Sequence, residues 1–264
     1  MEPGRWRGLY QVPLAFVWLF VYYTPLLLFT LLTLRLLTPA LIRWYARIWG
    51  RVMLALLSIR LEVEGEERVR ARVPRVLIFN HTSTLDLFVV TALFPPAGVA
   101  VVKKEIARFP LVGLLWWALG MIFIDRGDGP RARQSVARAA LRIRRLRQTV
   151  ILAPEGTRSP DGTVLPFKKG AFHLALETGA PIVPLVIFHA HRLQPKGALY
   201  LRPGVVRARF LEPIPTDAWT REDLPAHVER VRALYVEALA QPADAAAEAE
   251  ASPSGAGARA GEPA

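Results

Sequence analysis

The sequence predicts an α/β fold in which a mostly parallel sheet is flanked by helices, with a membrane-embedded two-helix segment before it. After residue 60, seven short apolar runs of strand length alternate with helical stretches, a pattern typical of parallel sheets. Before residue 60 the chain is apolar or amphipathic, and after residue 240 the apolar periodicity stops. We therefore divide the chain into N-terminal membrane-anchoring helices (1–59), an α/β domain (60–240) and a disordered tail rich in alanine and proline (241–264).

The first predicted element is a long apolar helix at the N-terminus. No residue from Gly8 to Leu34 is charged, and the stretch exceeds the about 20 residues that cross a bilayer. A cleaved signal peptide would have a shorter apolar region and a small-residue cleavage site, and neither is evident. A buried helix of a water-soluble protein is the alternative, but a core helix rarely has so many consecutive uncharged positions.

A second helical pattern opens at Pro39 and runs to Ile59, with Arg43, Arg47 and Arg51 forming a basic stripe beside an apolar face. A basic amphipathic helix after an apolar one suits a membrane surface. The two segments are predicted to form a hairpin that dips into one leaflet. If the first segment instead spans the bilayer, the greater density of arginine after it places the rest of the chain in the cytoplasm.

The net charge of +12 and the pI near 10.8 allow two classes of partner, nucleic acid and anionic membrane. No nucleic-acid recognition motif accompanies the charge, so we expect no nucleic-acid partner. The predominance of arginine over lysine is also typical of a GC-rich genome. The chain contains no cysteine, which excludes disulfides, thiolate metal sites and a cysteine nucleophile. We expect neither a metal ion nor a cofactor.

Strands and helices are predicted in alternation along the α/β domain. The predicted strands are 61–64, 76–79, 99–102, 121–124, 150–153, 182–188 and 207–211, and the predicted helices are 86–93, 110–119, 131–147 and 171–178. Active residues of a parallel α/β sheet lie at the carboxyl ends of its strands. Polar residues at those ends are therefore the candidate site.

The most informative polar cluster runs from Asn80 to Asp86, directly after the second predicted strand. On a continuous helix, residues five apart lie roughly 140° apart around the axis, so His81 and Asp86 can meet only if the helix starts after His81. The hydroxyl residues between them favour such a start. Asp86 would then hold one imidazole nitrogen and leave the other free as a general base. Taken alone, the pattern is better explained by a loop histidine and a helix-terminal carboxylate.

Three further strand ends carry cations, in the segments Lys103-Lys104-Glu105, Asp125-Arg126 and Glu155-Gly156-Thr157-Arg158. The carboxyl ends of parallel strands share one edge of the sheet, and arginine and lysine together suit a phosphate group. Gly156 permits a close turn that puts Glu155 and Arg158 on one side of a loop. Each segment alone is as well explained by a structural ion pair. Agreement among four strand ends favours a phosphate site beside His81.

Four ordered segments resemble the motifs of the glycerolipid acyltransferases, the 1-acyl-sn-glycerol-3-phosphate acyltransferase family. They are His81 to Asp86, Phe123 to Arg126, Glu155 to Arg158 and Ile182 to Leu185. Phe167-Lys168-Lys169-Gly170 and Lys103-Lys104-Glu105-Ile106 add to the resemblance, which covers residues 76–188. It implies a glycerolipid acyltransferase-like fold with residues 60–240 as the catalytic domain.

The resemblance also implies an activity. A fatty acyl group would pass from acyl-CoA or an acyl carrier protein to the sn-2 hydroxyl of lysophosphatidic acid, giving phosphatidic acid in phospholipid biosynthesis. His81 would be the general base, oriented by Asp86. Lys104, Arg126 and Arg158 are implied to bind the acceptor phosphate, and Glu155 and Gly156 to shape the glycerol site. Thr157 is implied to bind substrate on the same loop, and Pro184 to form part of the wall of the acyl-donor site.

The implied partners are membrane lipids, the lysophospholipid acceptor and the acyl donor. The implied location is the bacterial inner membrane, with the catalytic domain on the cytoplasmic side. Another lysophospholipid or glycerol 3-phosphate is the alternative acyl acceptor, because related enzymes that use these acceptors carry the same motifs. Of two rival classes, a non-catalytic lipid-binding module leaves the strand-end clusters unexplained, and a serine hydrolase needs a Gly-x-Ser-x-Gly elbow that does not occur. His173, His189, His191 and His227 are interpreted as surface or packing residues.

Overall fold

The computed structural model describes residues 38–108, 113–114, 116–117, 120–124, 129–194, 198 and 200–241, with ten helical positions between residues 10 and 32. The predicted tail beyond Gln241, most of the predicted first helix and the candidate phosphate ligand Arg126 lie outside the described residues. Among the residues described, no helix is both long enough and apolar enough to cross a membrane.

The described strands form one seven-stranded sheet in the order β1-β7-β6-β2-β5-β3-β4. The strands are β1 (Ile59–Glu64), β2 (Arg75–Phe79), β3 (Gly98–Lys103), β4 (Ile122–Ile124), β5 (Thr149–Leu152), β6 (Ile182–Phe188) and β7 (Gly204–Phe210). Every neighbouring pair is parallel except β6 and β7, so β1 and β7 run against the other five strands. The predicted mostly parallel α/β sheet is confirmed, and each predicted strand is present within three residues of its predicted ends.

Helices cover both faces of the sheet. They are α1 (Thr38–Leu56), α2 (Glu67–Arg70), α3 (Leu85–Ala92), α4 (Gly129–Leu146), α5 (Gly170–Thr178), α6 (Ala190–Leu193) and α7 (Leu224–Ala240), with a 3-10 helix (Lys104–Arg108) after β3. Of the predicted helix at 110–119, residues 113, 114, 116 and 117 are described and helical. The four-residue helices α2 and α6 were not predicted, because so short a segment carries no periodicity. The bounds of α7 were not predicted either, although its buried residues Leu224, Val228, Val231 and Tyr235 recur at helical spacing and the sequence around His227 is helical in pattern.

The core forms one apolar layer on each face of the sheet. On one face, α1 and α3 contribute Trp49, Met53 and Val89, while on the other α4, α5 and α7 contribute Ile143, Phe172 and Tyr235. The strand β2 serves both layers, because Leu77 points into the first and its neighbours Val76 and Ile78 into the second. Burial on both faces explains its continuous apolar sequence.

The helix α1 departs from its prediction in length and in the use of its arginines. It ends at Leu56, not Ile59, because Ser58 has a left-handed backbone with φ 58° and β1 begins at Ile59. Arg47 of the predicted basic stripe forms an ion pair with Glu66, whereas Arg51 is exposed. Of the two stripe arginines whose side chains are described, one is thus partly buried in an ion pair with the domain and one is exposed, and the side chain of Arg43 lies outside the described residues.

Two close contacts join the N-terminal part to the α/β domain. A methyl group added at Gly50 of α1 would lie 2.3 Å from the backbone nitrogen of Ala92, so a glycine is needed where α1 meets α3. The buried amide of Gln11 donates to the carbonyl of Leu201 (3.3 Å) and accepts from its N–H (3.0 Å). Part of the N-terminal segment thus packs directly against the α/β domain.

Candidate active site

The carboxyl ends of β2, β5, β3 and β4 lie along one edge of the sheet, and His81 follows β2 near its middle. The backbone after β2 is held by two hydrogen bonds of the buried Asn80 side chain, which donates to the carbonyl of Ile187 (2.9 Å) and accepts from its N–H (2.8 Å). The amide group thereby extends the pairing of β2 with β6 beyond Phe79. It fixes the backbone immediately before His81.

The segment that follows β5 holds His81 by both of its backbone groups. The N–H of His81 donates to Oε1 of Glu155 (2.9 Å), and its carbonyl accepts from the N–H of Ser159 (2.8 Å). The imidazole itself is 27% exposed. A ring with a fixed backbone and an open side suits contact with a substrate.

His81 and Asp86 meet across the junction between β2 and α3. Nδ1 of His81 lies 2.9 Å from Oδ2 of Asp86, which also accepts from the N–H groups of Thr82 (2.7 Å) and Ser83 (2.8 Å). Asp86 is fully buried in the first turn of α3, and the Ser83 hydroxyl accepts from the N–H of Leu85 (3.1 Å), the first residue of that helix. Since an ionised carboxylate only accepts hydrogen bonds, Nδ1 is the donor and Nε2 of the neutral ring is the free acceptor.

Glu155 is 2% exposed and turns both carboxyl oxygens toward the backbone. Oε1 accepts from His81, and Oε2 accepts from the N–H of Leu165 (3.2 Å). Burial raises the pKa of this carboxyl to about 7, with a smaller contribution from the charge of Asp86, although the two N–H donors and His81 oppose the rise. Glu155 thus ties the loop after β5 to the backbone of His81.

This raised pKa predicts a stability that depends on pH. The folded protein holds the Glu155 proton to about pH 7, whereas the unfolded chain releases it near the ordinary value of 4.5. Unfolding therefore releases a proton between these values, and the free energy of unfolding should fall as the pH rises through this window, by at most about 3 kcal/mol. Thermal unfolding in detergent from pH 4.5 to 8 measures it.

The variant Glu155→Gln cannot ionise and should show a shallower decline of the melting temperature over the same pH range. The matched control is Glu222→Gln, at an exposed glutamate, which should keep the wild-type slope. Equal slopes for the wild type and Glu155→Gln would contradict the prediction.

Thr157 and Arg158 are both exposed on the same loop. One guanidinium nitrogen of Arg158 donates to Oγ1 of Thr84 (2.5 Å), which places the charge over the start of α3, three residues from His81. No carboxylate in the described part of the chain pairs with Arg158. A guanidinium has five N–H donors, so the Thr84 contact leaves most of them available.

The other predicted site residues lie further from His81 or inside the sheet. Lys104 begins the 3-10 helix after β3, two strands from β2 and hence about 10 Å along the sheet edge. Pro184 is buried in β6 opposite Ile78, and its carbonyl accepts from the N–H of Leu211 (2.9 Å). Their substrate contacts, like that of Arg126, stay predictions.

Some supporting residues were missed from the sequence. The Ser83 hydroxyl donates to the side-chain oxygen of Gln194 (3.0 Å), which ties the start of α3 to the chain after α6.

His191 packs against Gly162, where an added Cβ would be 2.1 Å from the imidazole ring. No group of three potential ligands in the described ranges could hold a metal ion.

The class of the protein follows from the family model that matches residues 60–188, which is that of the acyltransferases. The matched stretch contains His81, Asp86 and the loop after β5.

The particular family follows from three relatives. The chain is 38% identical over 195 residues to the 1-acyl-sn-glycerol-3-phosphate acyltransferase of Limnanthes alba, covering 74% of this chain and 69% of the relative. It is 37% identical over 195 residues to the Cocos nucifera protein of that name, covering 74% and 63%. The alpha form from Homo sapiens is 38% identical over 180 residues, covering 67% and 62%. The chain thus spans about two thirds of the length of these relatives and belongs to the 1-acyl-sn-glycerol-3-phosphate acyltransferase family.

A solved structure agrees with this assignment. The crystal structure of the 1-acyl-sn-glycerophosphate (LPA) acyltransferase PlsC from Thermotoga maritima superposes with a TM-score of 0.73 at 27% identity. The match covers 90% of this chain and 98% of that one. The sheet and its flanking helices are therefore those of an acyltransferase of this family.

Proposed function

We propose that this protein transfers a fatty acyl group from an acyl thioester to the sn-2 hydroxyl of lysophosphatidic acid, giving phosphatidic acid. The contact of 2.9 Å between His81 and the buried Asp86, beside the exposed Arg158, carries the proposal. The relatives are named for a 1-acyl-sn-glycerol-3-phosphate acceptor, which is lysophosphatidic acid.

The chemical step uses His81 as general base. Nε2 takes the proton of the sn-2 hydroxyl as that oxygen attacks the thioester carbonyl, and the C–S bond breaks as the ester forms. The imidazolium then returns the proton to the departing thiolate. Asp86 holds Nδ1–H throughout and stabilises the positive ring with its negative charge. The acceptor oxygen is itself the nucleophile, so no acyl-enzyme forms.

The acceptor phosphate is proposed to bind Arg158, with Lys104 and Arg126 on the neighbouring strand ends. Glu155 and Gly156, with Thr157 beside them, shape the glycerol site. For Glu155 this role is indirect, because its oxygens accept from the backbone N–H groups of His81 and Leu165. Pro184 is proposed to form part of the wall of the acyl-donor site.

The N-terminal residues 1–59 are proposed to attach the catalytic domain 60–240 to the inner face of a bacterial membrane, where both lipids reside, with residues 241–264 as a disordered tail. The contact of Gln11 with Leu201 supports a segment that rests on the domain. Its apolar sequence and the basic stripe after it are the features that favour entry into one leaflet. The donor is acyl-CoA or an acyl carrier protein, and no cofactor is required.

The activity is tested with membranes that contain the protein, lysophosphatidic acid and radiolabelled acyl-CoA. Label in phosphatidic acid supports the proposal. A panel of other lysophospholipids and glycerol 3-phosphate, with one donor, tests the acceptor. Free fatty acid as the sole product would favour hydrolysis, and binding of lipid without any product would favour a non-catalytic module.

Arg158→Ala should lower kcat/KM for lysophosphatidic acid by several-fold to hundreds-fold, because a charge-assisted contact contributes about 1.5–3 kcal/mol. A neutral lysolipid should lose much less. The matched control is Arg221→Ala, at an exposed arginine in the turn before α7. The variant Thr84→Val removes the hydroxyl that holds Arg158 and should cause a smaller loss of the same kind. Equal losses with charged and neutral acceptors would contradict a phosphate contact.

A further inference from the structure

Lys168 occupies the space directly above Gly156. A Cβ built on Gly156 would lie 2.8 Å from Nζ, 3.0 Å from Cε and 3.1 Å from Cδ of this lysine. Gly156 also has φ +71°, a backbone conformation that other residues rarely adopt. The glycine therefore both turns the chain and leaves room for the lysine stem.

This placement puts a second cation on the loop that holds His81. Gly156 lies between Glu155, whose carboxyl group accepts from the His81 N–H, and Arg158, which donates to Thr84. The backbone of Lys168 is fixed to the same loop, because its N–H donates to the carbonyl of Pro154 (2.9 Å). The strand β5 that carries this loop is the direct neighbour of β2. Lys168 is thus closer along the sheet to His81 than the cations that follow β3.

The two cations of this loop, Lys168 and Arg158, are both exposed, and neither pairs with a carboxylate among the residues that the structure describes. The exposed Asp161 on the same loop accepts hydrogen bonds from Ser159 and Thr163. The buried carboxyl groups of Asp86 and Glu155 accept from backbone N–H groups instead. Two cations on one loop repel each other, and an anion bound between them offsets that repulsion. A phosphate monoester carries about −1.5 to −2 charges at neutral pH and matches such a pair.

We propose that Lys168 is a specificity-determining residue that binds, together with Arg158, a phosphate group of the substrate. The inference rests on the proposed function. The phosphate is that of the acceptor, because Lys168 and Arg158 share the loop that also holds the general base. An acyl-CoA donor carries phosphates too, so the experiment measures acceptor and donor separately.

The test compares Lys168→Met, which keeps an unbranched apolar stem and removes the charge, with Lys168→Arg, which keeps a cation. The matched control is Lys169→Met, at the adjacent exposed lysine that caps α5. Each full-length protein is assayed in membranes with lysophosphatidic acid, with an uncharged 1-monoacylglycerol of the same chain, and with the acyl donor varied at a fixed acceptor concentration.

We expect Lys168→Met to lower kcat/KM for lysophosphatidic acid about 10- to 100-fold. For the same variant, kcat/KM for the monoacylglycerol and KM for the acyl donor should stay within about twofold of wild type. Lys168→Arg should recover most of the lost activity toward lysophosphatidic acid. The control Lys169→Met should resemble wild type with every substrate. Equal losses with both acceptors, a loss confined to the donor KM, or no loss would each overturn the assignment. Turnover of lysophosphatidic acid by the wild type tests the proposed function separately, since the Lys168 result is a ratio of variant to wild type.

Discussion

His81→Ala should lower kcat/KM for acyl transfer by about 10²- to 10⁴-fold, the contribution typical of a positioned general base. Nε2 is the one ring nitrogen left to take the hydroxyl proton, because Nδ1 is engaged by Asp86 at 2.9 Å. Alanine keeps the backbone N–H and carbonyl that bond to Glu155 and Ser159, so the loop after β5 should stay in place. The loss should therefore appear in kcat more than in the acceptor KM.

The measurement is the formation of labelled phosphatidic acid by membranes that contain equal amounts of each protein. The control is His227→Gln, which alters a histidine stacked on Trp219 at 4.1 Å in another part of the fold. That variant should keep wild-type activity. Unchanged label from His81→Ala would remove His81 from the mechanism, whatever the identity of the acceptor.

The candidate site was predictable where its residues are close in sequence. The spacing of His81 and Asp86 requires a helix that starts between them, and α3 begins at Leu85. The alternation of apolar runs likewise predicts seven strands, because each run carries its own signal. These inferences depend on local backbone geometry, which a short stretch of sequence determines.

The rest of the site depends on contacts between distant residues. Glu155 bonds to a backbone group 74 positions away, and Ser83 bonds to Gln194 across 111 positions. Neither contact has a sequence signature, since any polar side chain at the right place could make it. The reversed direction of β7 is similarly a product of sheet pairing. Glu155 itself was predicted at the site, but its binding to backbone N–H groups became visible only in the fold.

These distant contacts separate two tasks within the site. One set fixes the base: Asn80, Glu155 and Ser159 hold the backbone on either side of the ring, and Asp86 holds Nδ1. The other set is exposed and carries the positive charge, with Arg158 and Lys168 on the same loop. Substitutions in the first set should therefore affect every acceptor, whereas those in the second should affect phosphorylated acceptors selectively.

Asp86→Asn should give the second large loss, a fall in kcat of about 10²- to 10⁴-fold with a smaller drop in the melting temperature than Asp86→Ala. An asparagine carbonyl can still accept from Thr82, Ser83 and the His81 ring, so the geometry can persist. The neutral amide cannot stabilise the imidazolium that forms when the hydroxyl proton is taken. The loss should therefore arise from the missing charge and appear in turnover.

Asp86→Ala separates this charge from the structural role of the same side chain. It removes the acceptor from the buried N–H groups of Thr82 and Ser83, and each group left unpaired should cost about 1–3 kcal/mol of stability. We expect it to lose activity and to melt at a clearly lower temperature, as measured by thermal unfolding in detergent beside the turnover assay. If Asp86→Asn kept more than about a tenth of the wild-type kcat while Asp86→Ala lost both properties, Asp86 would only build the turn, because an ionised partner that stabilises the imidazolium is worth far more than tenfold.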